Sequence, residues 1–257
     1  MQYEMMADSV VKSAARTLAI LELFSQKQEP LTAKQVEIAL SYPSSSTIML
    51  LKSLNELGYL RFDRLSRTYL PTMRVAMLGN WMKTSALASD IVLQAAQKLH
   101  DKVHETIFVS SPNDTVMQTV YFIPGRLTIN LNITLDFTID MVNSAAGLAY
   151  LSTLSPAQVD EIIERTNRNR RGRPKYEPEA VHDKVDAVRR QGYASVYDVI
   201  SAVGSITMAI PSPYSETQHV LGIGGFSERV KASEGDYVKQ LKSAINGIKR
   251  AIKSDHK

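Results

Sequence analysis

The stretch SSSTIMLLKSLNELGYLRF, residues 44–62, indicates the fold of this chain more strongly than any other. Apolar and small residues recur in it every three or four positions, which is the period of an α-helix with one buried face. The positions on this face are Thr47, Leu50, Leu51, Leu54 and Leu57. Gly58 follows, and glycine tolerates the left-handed backbone with which helices commonly end. The sequence therefore predicts a helix that begins near Ser44 and ends at Gly58.

Two further helices and a hairpin surround this helix in the sequence. The first helix is predicted from about Ser9 to Ser25, and Thr32 is predicted to cap the second, with Gln35 as its capping-box partner. After the third helix, residues 59–62 and 67–70 are predicted to form two short strands around a turn. Three helices followed by a β-hairpin predict a winged helix-turn-helix, in which the third helix enters the major groove of DNA.

The outer face of the third helix and the hairpin carry the candidate DNA contacts. On the helix these are Ser44, Ser45, Ser46, Ile48, Met49 and Lys52. The serine hydroxyls can bond bases or phosphates, and the two apolar side chains can touch thymine methyl groups. On the hairpin, Arg61, Arg64 and Arg67 are placed to meet phosphates or the minor groove. The alternative is a helical domain that serves only dimerisation, which the exposed apolar pair favours slightly and the three arginines oppose.

Residues 89–254 contain a mixture of strand and helix patterns. The predicted strands are 106–110, 116–123, 127–135, 193–197, 204–211 and 219–226. The predicted helices are 89–103, 141–153, 156–166, 178–191 and 236–253. A sheet with helices inserted midway and a helix at its end is an α+β arrangement of the kind found in sensor domains.

The composition excludes several classes of function. The 257 residues include no cysteine, which excludes disulfides, a cysteine-ligated zinc site and a thiol nucleophile. A net charge of +4 is compatible with a polyanionic partner without requiring one. No segment has the pattern of a signal peptide or the apolar length of a membrane helix, so we expect a cytoplasmic protein without membrane contact.

No arrangement of residues predicts catalysis, a cofactor or a bound metal. The glycine-rich segment 222–225 lacks the strand, loop and helix setting of a dinucleotide site. His100 and His104 have the spacing of two metal ligands on a helix, but no third ligand is evident, and we interpret them as a solvated helix end. The basic run Arg170–Lys175 resembles an AT-hook, which binds A·T minor grooves. A solvated loop or a contact between subunits is the preferred explanation of that run.

Residues 10–79 resemble the DNA-binding part of the IclR-type transcriptional regulators. The resemblance rests on Ala15–Glu22, Pro43–Ser46, Leu54–Leu60 and Arg67–Leu70. It implies binding to a double-stranded DNA operator by a homodimer or a dimer of dimers. The family often has basic residues where this chain has Ser44 and Met49. We therefore expect phosphate contacts, the hairpin and DNA shape to contribute a larger share of the binding.

Residues 86–254 resemble the effector domain of the same regulators, which has a GAF-like fold. The matching segments are Asn143–Leu151, Arg189–Ala194, Ile206–Pro211 and Leu221–Arg229. The resemblance implies a pocket between the sheet and the start of the helix that follows residue 144. Small residues there let backbone amides approach an anionic ligand. Carried over position by position, the candidate effector contacts are Ala145, Ala146, Thr207, Gly222 and Gly224.

The two glycines among these positions bear on the identity of the effector. Family members that bind very small keto acids have serines at the positions of Gly222 and Gly224, so the glycines remove hydrogen-bond donors and open space. We therefore expect a larger and less polar organic acid, such as an aromatic one. Close packing or a strand bulge explains the glycines equally well.

These patterns together predict an α+β protein of three parts. A winged helix-turn-helix occupies residues 1–71, a helical linker residues 72–88, and a GAF-like α/β effector-binding and oligomerisation domain residues 89–257. The function they favour is a ligand-responsive regulator of a catabolic operon, with repression as the simpler mode. The alternative is a small-molecule-binding protein or an enzyme whose N-terminal helical domain serves only dimerisation.

Overall fold

A computed structural model describes residues 11–78, 90–127, 131, 137–170, 172–211 and 218–254 of the chain. The chain divides into two compact units, Met1–Met82 and Lys83–Lys257. The predicted start of the first helix, Ser9, lies outside the described residues, as do residues 79–88 of the predicted linker. Within the described ranges, no helix combines the length and the apolar character that crossing a membrane requires.

The N-terminal unit combines helices with a small antiparallel sheet. Its helices are α1 (Lys12–Lys27), α2 (Ala33–Leu40), α3 (Ser44–Glu56) and α4 (Met73–Met77). Its strands are β1 (Leu31–Thr32), β2 (Leu60–Asp63) and β3 (Thr68–Pro71), in the order β1-β3-β2. The predicted winged helix-turn-helix is confirmed, with the β2–β3 hairpin as its wing. The short strand β1 was not predicted, because it exists only through its pairing with Thr68 and Tyr69.

A small apolar core holds α3 in place. Leu51 and Leu54 of α3 are buried in it. The other buried members of this core are Ile20, Leu23, Phe24, Leu31, Val36, Leu60 and Tyr69. Of the predicted apolar face, Thr47 is also buried, whereas Leu57 is 58% exposed. The face was therefore predicted one turn too long, because α3 ends at Glu56, before Leu57.

Local sequence signals fix the ends of these helices. At the start of α2, the Thr32 hydroxyl accepts from the Gln35 backbone N–H at 3.2 Å, and the Gln35 side-chain oxygen accepts from the Thr32 N–H at 2.8 Å. The predicted capping box is thus confirmed. At the end of α3, Gly58 has a φ of +78°, and the backbone N–H of Tyr59 donates to the Leu54 carbonyl at 2.9 Å. This is the glycine-terminated helix end that the sequence predicted.

The C-terminal unit is an antiparallel sheet with helices on both faces. Its strands are β4 (Thr106–Asn113), β5 (Val116–Ile123), β6 (Thr138–Asp140), β7 (Ala194–Tyr197), β8 (Val203–Ala209) and β9 (Val220–Phe226), in the order β6-β5-β4-β9-β8-β7. Its helices are α5 (Asp90–Val103), α6 (Ala145–Leu151), α7 (Pro156–Asn169), α8 (Pro178–Gln191), α9 (Ser227–Ala232) and α10 (Glu234–Ser254). The predicted α+β class is confirmed.

The two faces of the sheet belong to different apolar cores. On one face, strand residues such as Ile107, Ile206 and Ile223 pack with α5 and α10. On the other face, Met117 and Val220 pack with α6, α7 and α8. Because side chains alternate along a strand, the residues of β8 and β9 on either side of Ile206 and Ile223 in the sequence face α6 instead.

Some predicted elements differ in extent. The strand predicted at 127–135 lies mostly outside the described residues, and β6 begins only at Thr138. Helix α6 is shorter than the predicted 141–153, because Ser144 caps it: the Ser144 hydroxyl accepts from the Gly147 N–H at 3.1 Å. Helix α9 was not predicted at all, because the final helix was predicted only from residue 236. The predicted cap of α7 at Ser155 is confirmed.

Candidate DNA-binding surface and effector cavity

The outer side of α3 carries the predicted helix contacts. Those that are exposed are Ser44, Ser45, Ile48, Met49 and Lys52. Met49 is 69% exposed and Ile48 39%. Ser46 is half-buried and accepts a hydrogen bond from the Arg16 guanidinium at 3.3 Å. The structure therefore brings hydroxyls, two apolar side chains and one lysine together on the first turns of a helix, where they can reach base edges.

Arg16 is a cation beside the N-terminus of α3 that the sequence did not single out as a contact. It lies on α1, its guanidinium carbon is 5.0 Å from the centroid of the Tyr42 ring, and it donates to Ser46. The tertiary packing of α1 against α3 brings it there, so a pattern on α3 alone could not reveal it. A cation at a helix N-terminus favours the binding of a phosphate.

The wing is a tight hairpin with a well-defined turn. The Asp63 carboxylate accepts the backbone N–H groups of Leu65 at 2.8 Å and of Ser66 at 2.9 Å. These hydrogen bonds favour the charged form and lower the pKa of Asp63 below its ordinary value. The cations that this turn presents, all of them exposed, are Arg61, Arg64 and Arg67.

A cavity of about 180 Å³ lies in the C-terminal unit, between the sheet and the start of α6. Its described wall is formed by Phe108, Ser110, Thr119, Leu131, Phe137, Ile139, Ser144, Ala146, Ile200, Val203, Ser205 and Gly224. An apolar cavity of about 150 Å³ is enough to hold benzene. This cavity therefore has room for one benzene ring with a small substituent.

The predicted effector contacts divide around this cavity. Ala146 and Gly224 line it. Those that are buried but do not belong to its described wall are Ala145, Thr207 and Gly222. A Cβ atom added to Gly222 would lie 2.2 Å from Cζ of Phe108, so the phenyl ring already occupies the place of a side chain. At Gly222 this geometry supports close packing, while Gly224 faces the cavity.

Hydroxyl groups supply the polar part of the cavity wall. Ser110, Thr119 and Ser144 are buried, and Ser205 is half-buried. Because the Ser144 oxygen accepts from the backbone, its own proton is available for donation. The described part of the wall includes no charged side chain. Such a wall holds a ring by apolar contact and orients a polar substituent by neutral hydrogen bonds. Apart from Ser144, these hydroxyls come from strands, and sequence reasoning missed them.

One member of the histidine pair, His100, is not solvated. His100 is 2% exposed, and its Nδ1 lies 3.2 Å from the backbone carbonyl oxygen of Glu105. Burial lowers the pKa of His100. The solvated interpretation was therefore wrong for His100, although His104 is exposed. Within the described residues, no three histidine, aspartate or glutamate side chains are grouped as metal ligands would be.

The basic run Arg170–Lys175 is partly engaged in its own loop. The Arg170 guanidinium donates to the Asp140 carboxylate at 3.3 Å and to the Tyr176 hydroxyl at 2.9 Å, and that hydroxyl donates to Asp140 at 2.9 Å. Burial and the Asp140 carboxylate raise the pKa of Tyr176 to about 12. Arg171 lies outside the described residues. For Arg170, the network favours the loop explanation over a DNA contact.

Comparison with known sequence families assigns both units. Residues 13–64 match the IclR helix-turn-helix domain, and residues 88–250 match the family described as bacterial transcriptional regulator IclR C-terminal. The chain therefore belongs to the IclR family of bacterial transcriptional regulators. Its function is regulation of transcription through a DNA-binding helix-turn-helix, and members of this family are not enzymes.

Individual relatives agree with this assignment. The chain is 22% identical over 225 residues to the Pca regulon regulatory protein of Pseudomonas putida, which covers 86% of this chain and 77% of that protein. The structure of Thermotoga maritima IclR is similar with a TM-score of 0.62 at 14% identity, covering 93% of this chain and 98% of that one. An IclR homolog from Microbacterium hydrocarbonoxydans complexed with 4-hydroxybenzoate has a TM-score of 0.58 at 16% identity, covering 95% and 100%.

Proposed function

We propose that this regulator reads a double-stranded DNA operator with α3 and the wing. The proposed contacts are Ser44, Ser45, Ser46, Ile48, Met49, Lys52, Arg61, Arg64 and Arg67. The exposure of the α3 side chains and the cations of the wing support this proposal. Helix α3 carries one lysine and no arginine, so a single protomer makes few charged contacts with DNA. We therefore propose that the protein acts as a homodimer or a dimer of dimers on a two-fold operator.

The wing arginines are expected to supply much of the salt dependence of DNA binding. Replacing Arg61, Arg64 and Arg67 together by alanine weakens binding similarly on all sequences and reduces the magnitude of the slope of log affinity against log salt by about 3 for each wing on the DNA. Fluorescence anisotropy with the upstream intergenic DNA, over a series of salt concentrations, measures both effects.

A matched triple variant of the C-terminal unit removes the same charge elsewhere. Lys98, Lys102 and Lys249 are exposed, and their replacement by alanine leaves the salt slope unchanged. A wild-type slope near zero, or equal losses in the two triple variants, would show that the wing does not contact phosphates.

We further propose that the C-terminal unit binds a small aromatic carboxylic acid. The observation that carries this proposal is a cavity of about 180 Å³ with phenyl and aliphatic walls and a set of buried hydroxyls. Ala146 and Gly224 would contact the acid directly, with Ala145, Thr207 and Gly222 packed beside the site. The complex of the Microbacterium homolog with 4-hydroxybenzoate supports a ligand of this size.

A thermal-shift series of organic acids tests the ligand class. At a concentration of 100 times its Kd, a bound acid stabilises the folded unit by about 2.7 kcal/mol and raises its midpoint by roughly 5–10 °C. We expect this shift for 4-hydroxybenzoate and little for pyruvate. Ser205→Ala is expected to lower the affinity about fivefold by removing one hydrogen bond. Ser243→Ala, on the exposed side of α10, serves as the control. Equal shifts with both acids would contradict the aromatic class.

The proposed mode is repression of a catabolic operon that is relieved by the acid. For this to work, the acid must bind the DNA-free form more tightly than the DNA-bound form. In vitro transcription from the promoter next to the gene measures the mode of regulation directly. The protein should lower the transcript level, and 4-hydroxybenzoate should restore that level. A transcript that rises when the protein is added would assign activation instead.

A further inference from the structure

Phe108 lies at the edge of the effector cavity in a particular register of the sheet. On β4 it is paired with Gly222 of β9, and Gly222 is paired in turn with Thr207 of β8. The neighbouring row contains Gly224 and Ser205, which both line the cavity. Because residues two apart share a face of a strand, Thr207 lies on the same face as Ser205. Phe108 and Ser110 of β4 line the cavity as well. Gly222 and Thr207 therefore continue the cavity floor from Phe108 across β9 to β8.

The phenyl ring of Phe108 covers the middle of this row. The atoms nearest to a Cβ added at Gly222 all belong to this ring, with Cζ at 2.2 Å, Cε2 at 2.6 Å and Cε1 at 2.8 Å. At Gly224, the nearest atom is Cδ1 of Leu131 at 3.1 Å, and Cε1 and Cδ1 of the Phe108 ring follow only at 3.4 Å and 3.7 Å. The far end of the ring thus rests on the backbone of Gly222, and the glycine is what makes room for it.

Thr207, at the other end of the row, has a buried hydroxyl that nothing else in the fold explains. The residue has no exposed surface, and its Oγ1 has no hydrogen-bond partner among the described residues. A buried hydroxyl without a partner is uncommon, because it loses its hydrogen bonds to water. In the sheet, Gly222 alone separates Thr207 from Phe108.

We propose that Phe108 sets the size of the effector that this regulator accepts. Its ring closes the cavity at Gly222, so that ligands with one ring fit and ligands with two fused rings do not. Shortening Phe108 extends the site over Gly222 towards Thr207, and the Thr207 hydroxyl becomes a hydrogen-bonding group of the longer site. This inference rests on the proposed function only in taking the effector to be an aromatic acid.

Isothermal titration of the full chain with four probes tests the proposal. The probes are 4-hydroxybenzoate and 6-hydroxy-2-naphthoate, together with the neutral phenol and 2-naphthol, which report cavity shape without a carboxylate. The wild type binds the one-ring probes and not the two-ring probes. Phe108→Ala is expected to bind both two-ring probes at least about tenfold more tightly than the wild type does. Phe108→Leu keeps more of the packing and gives the same direction if the alanine variant does not fold.

Two further variants make the result specific. Phe137→Leu also removes a ring from the cavity wall, but no atom of Phe137 is among those nearest to Gly222. This variant is therefore expected to prefer one-ring probes as the wild type does. Adding Thr207→Val to Phe108→Ala lowers the affinity for 6-hydroxy-2-naphthoate about fivefold through the lost hydrogen bond.

The outcomes separate this inference from the proposed function. If folded Phe108 variants keep the wild-type ratios of two-ring to one-ring affinity, or if Phe137→Leu changes them equally, Phe108 does not set the size limit. If phenol binds, neither acid binds, and shortening Phe108 still admits 2-naphthol, the size limit stands and the acid class of the effector is wrong.

Discussion

Replacement of Gly147 by alanine is expected to lower the free energy of unfolding of the C-terminal unit by about 3 kcal/mol and to abolish ligand binding in its cavity. A Cβ atom at Gly147 would lie 1.7 Å from the carbonyl oxygen of Met141 and 2.5 Å from its Cα. Backbone atoms cannot rotate away as a side chain can, so the segment leading into α6 must move. That segment carries Ser144, which both caps α6 and lines the cavity.

Another helical glycine provides the matched control for this change. Gly247 lies within α10, and a Cβ added there would meet nothing within 4 Å. Gly247→Ala is therefore expected to stabilise the protein by about 0.5–1 kcal/mol, because alanine has the higher helix propensity. Urea denaturation followed by circular dichroism compares both variants with the wild type. Unchanged unfolding of Gly147→Ala would mean that the approach of Met141 to α6 is not as close as described.

The second large effect is expected at Glu105, a fully buried carboxylate immediately before β4. The Arg229 guanidinium donates to both of its oxygens, with the Nη2–Oε2 distance at 2.9 Å, and the Tyr237 hydroxyl lies 3.3 Å from Oε1. Burial, followed by the nearby Glu105 carboxylate, raises the pKa of Tyr237. Glu105→Ala removes the acceptor of all these donors, and we expect a loss of about 3 kcal/mol in the free energy of unfolding.

This loss is at the lower end of the destabilisation that follows removal of one partner from a buried ion pair. The reason is that the Arg229 side chain is 34% exposed and can turn towards water. The control is Glu164→Ala, which breaks an exposed pair with Arg168 at 3.7 Å. Pairs of that kind contribute about 0.5 kcal/mol or less. Urea denaturation measures the free energy of unfolding of both variants. An equal decrease in the two would show that the buried pair stabilises the protein no more than the exposed one.

The parts of the fold that local chemistry determines could be predicted from the sequence. The capping box at Thr32 and the end of α3 at Gly58 depend on neighbouring residues, and both were found as predicted. The two-residue strand β1 depends instead on a partner more than thirty positions away, and no local pattern indicates it. Leu57 fits the helical period, yet it is exposed, because a period does not show where the core ends.

The cavity was harder to predict, because strand register decides which side chains line it. The pairing of β4 with β5 shifts between Val109 and Ser110, so Val120 is an extra residue in β5. Thr119 lines the cavity on one face, whereas Tyr121 packs with the other core, although simple alternation would place them on the same face. The resemblance to a family indicated Ala146 and Gly224, which line this cavity, whereas the hydroxyls and Phe108 follow only from the register.

If the wing binds DNA as proposed, its three arginines would make gene control sensitive to osmotic stress. On the proposed contacts, each wing binds three phosphates, so the two wings of a dimer together make the affinity fall with a slope of about −5 against log salt. A doubling of intracellular potassium after an osmotic upshift would then weaken operator binding roughly 40-fold, about sixfold for each wing. Repression would then be partly relieved with no effector present, so osmotic stress would have the same effect on transcription as the effector.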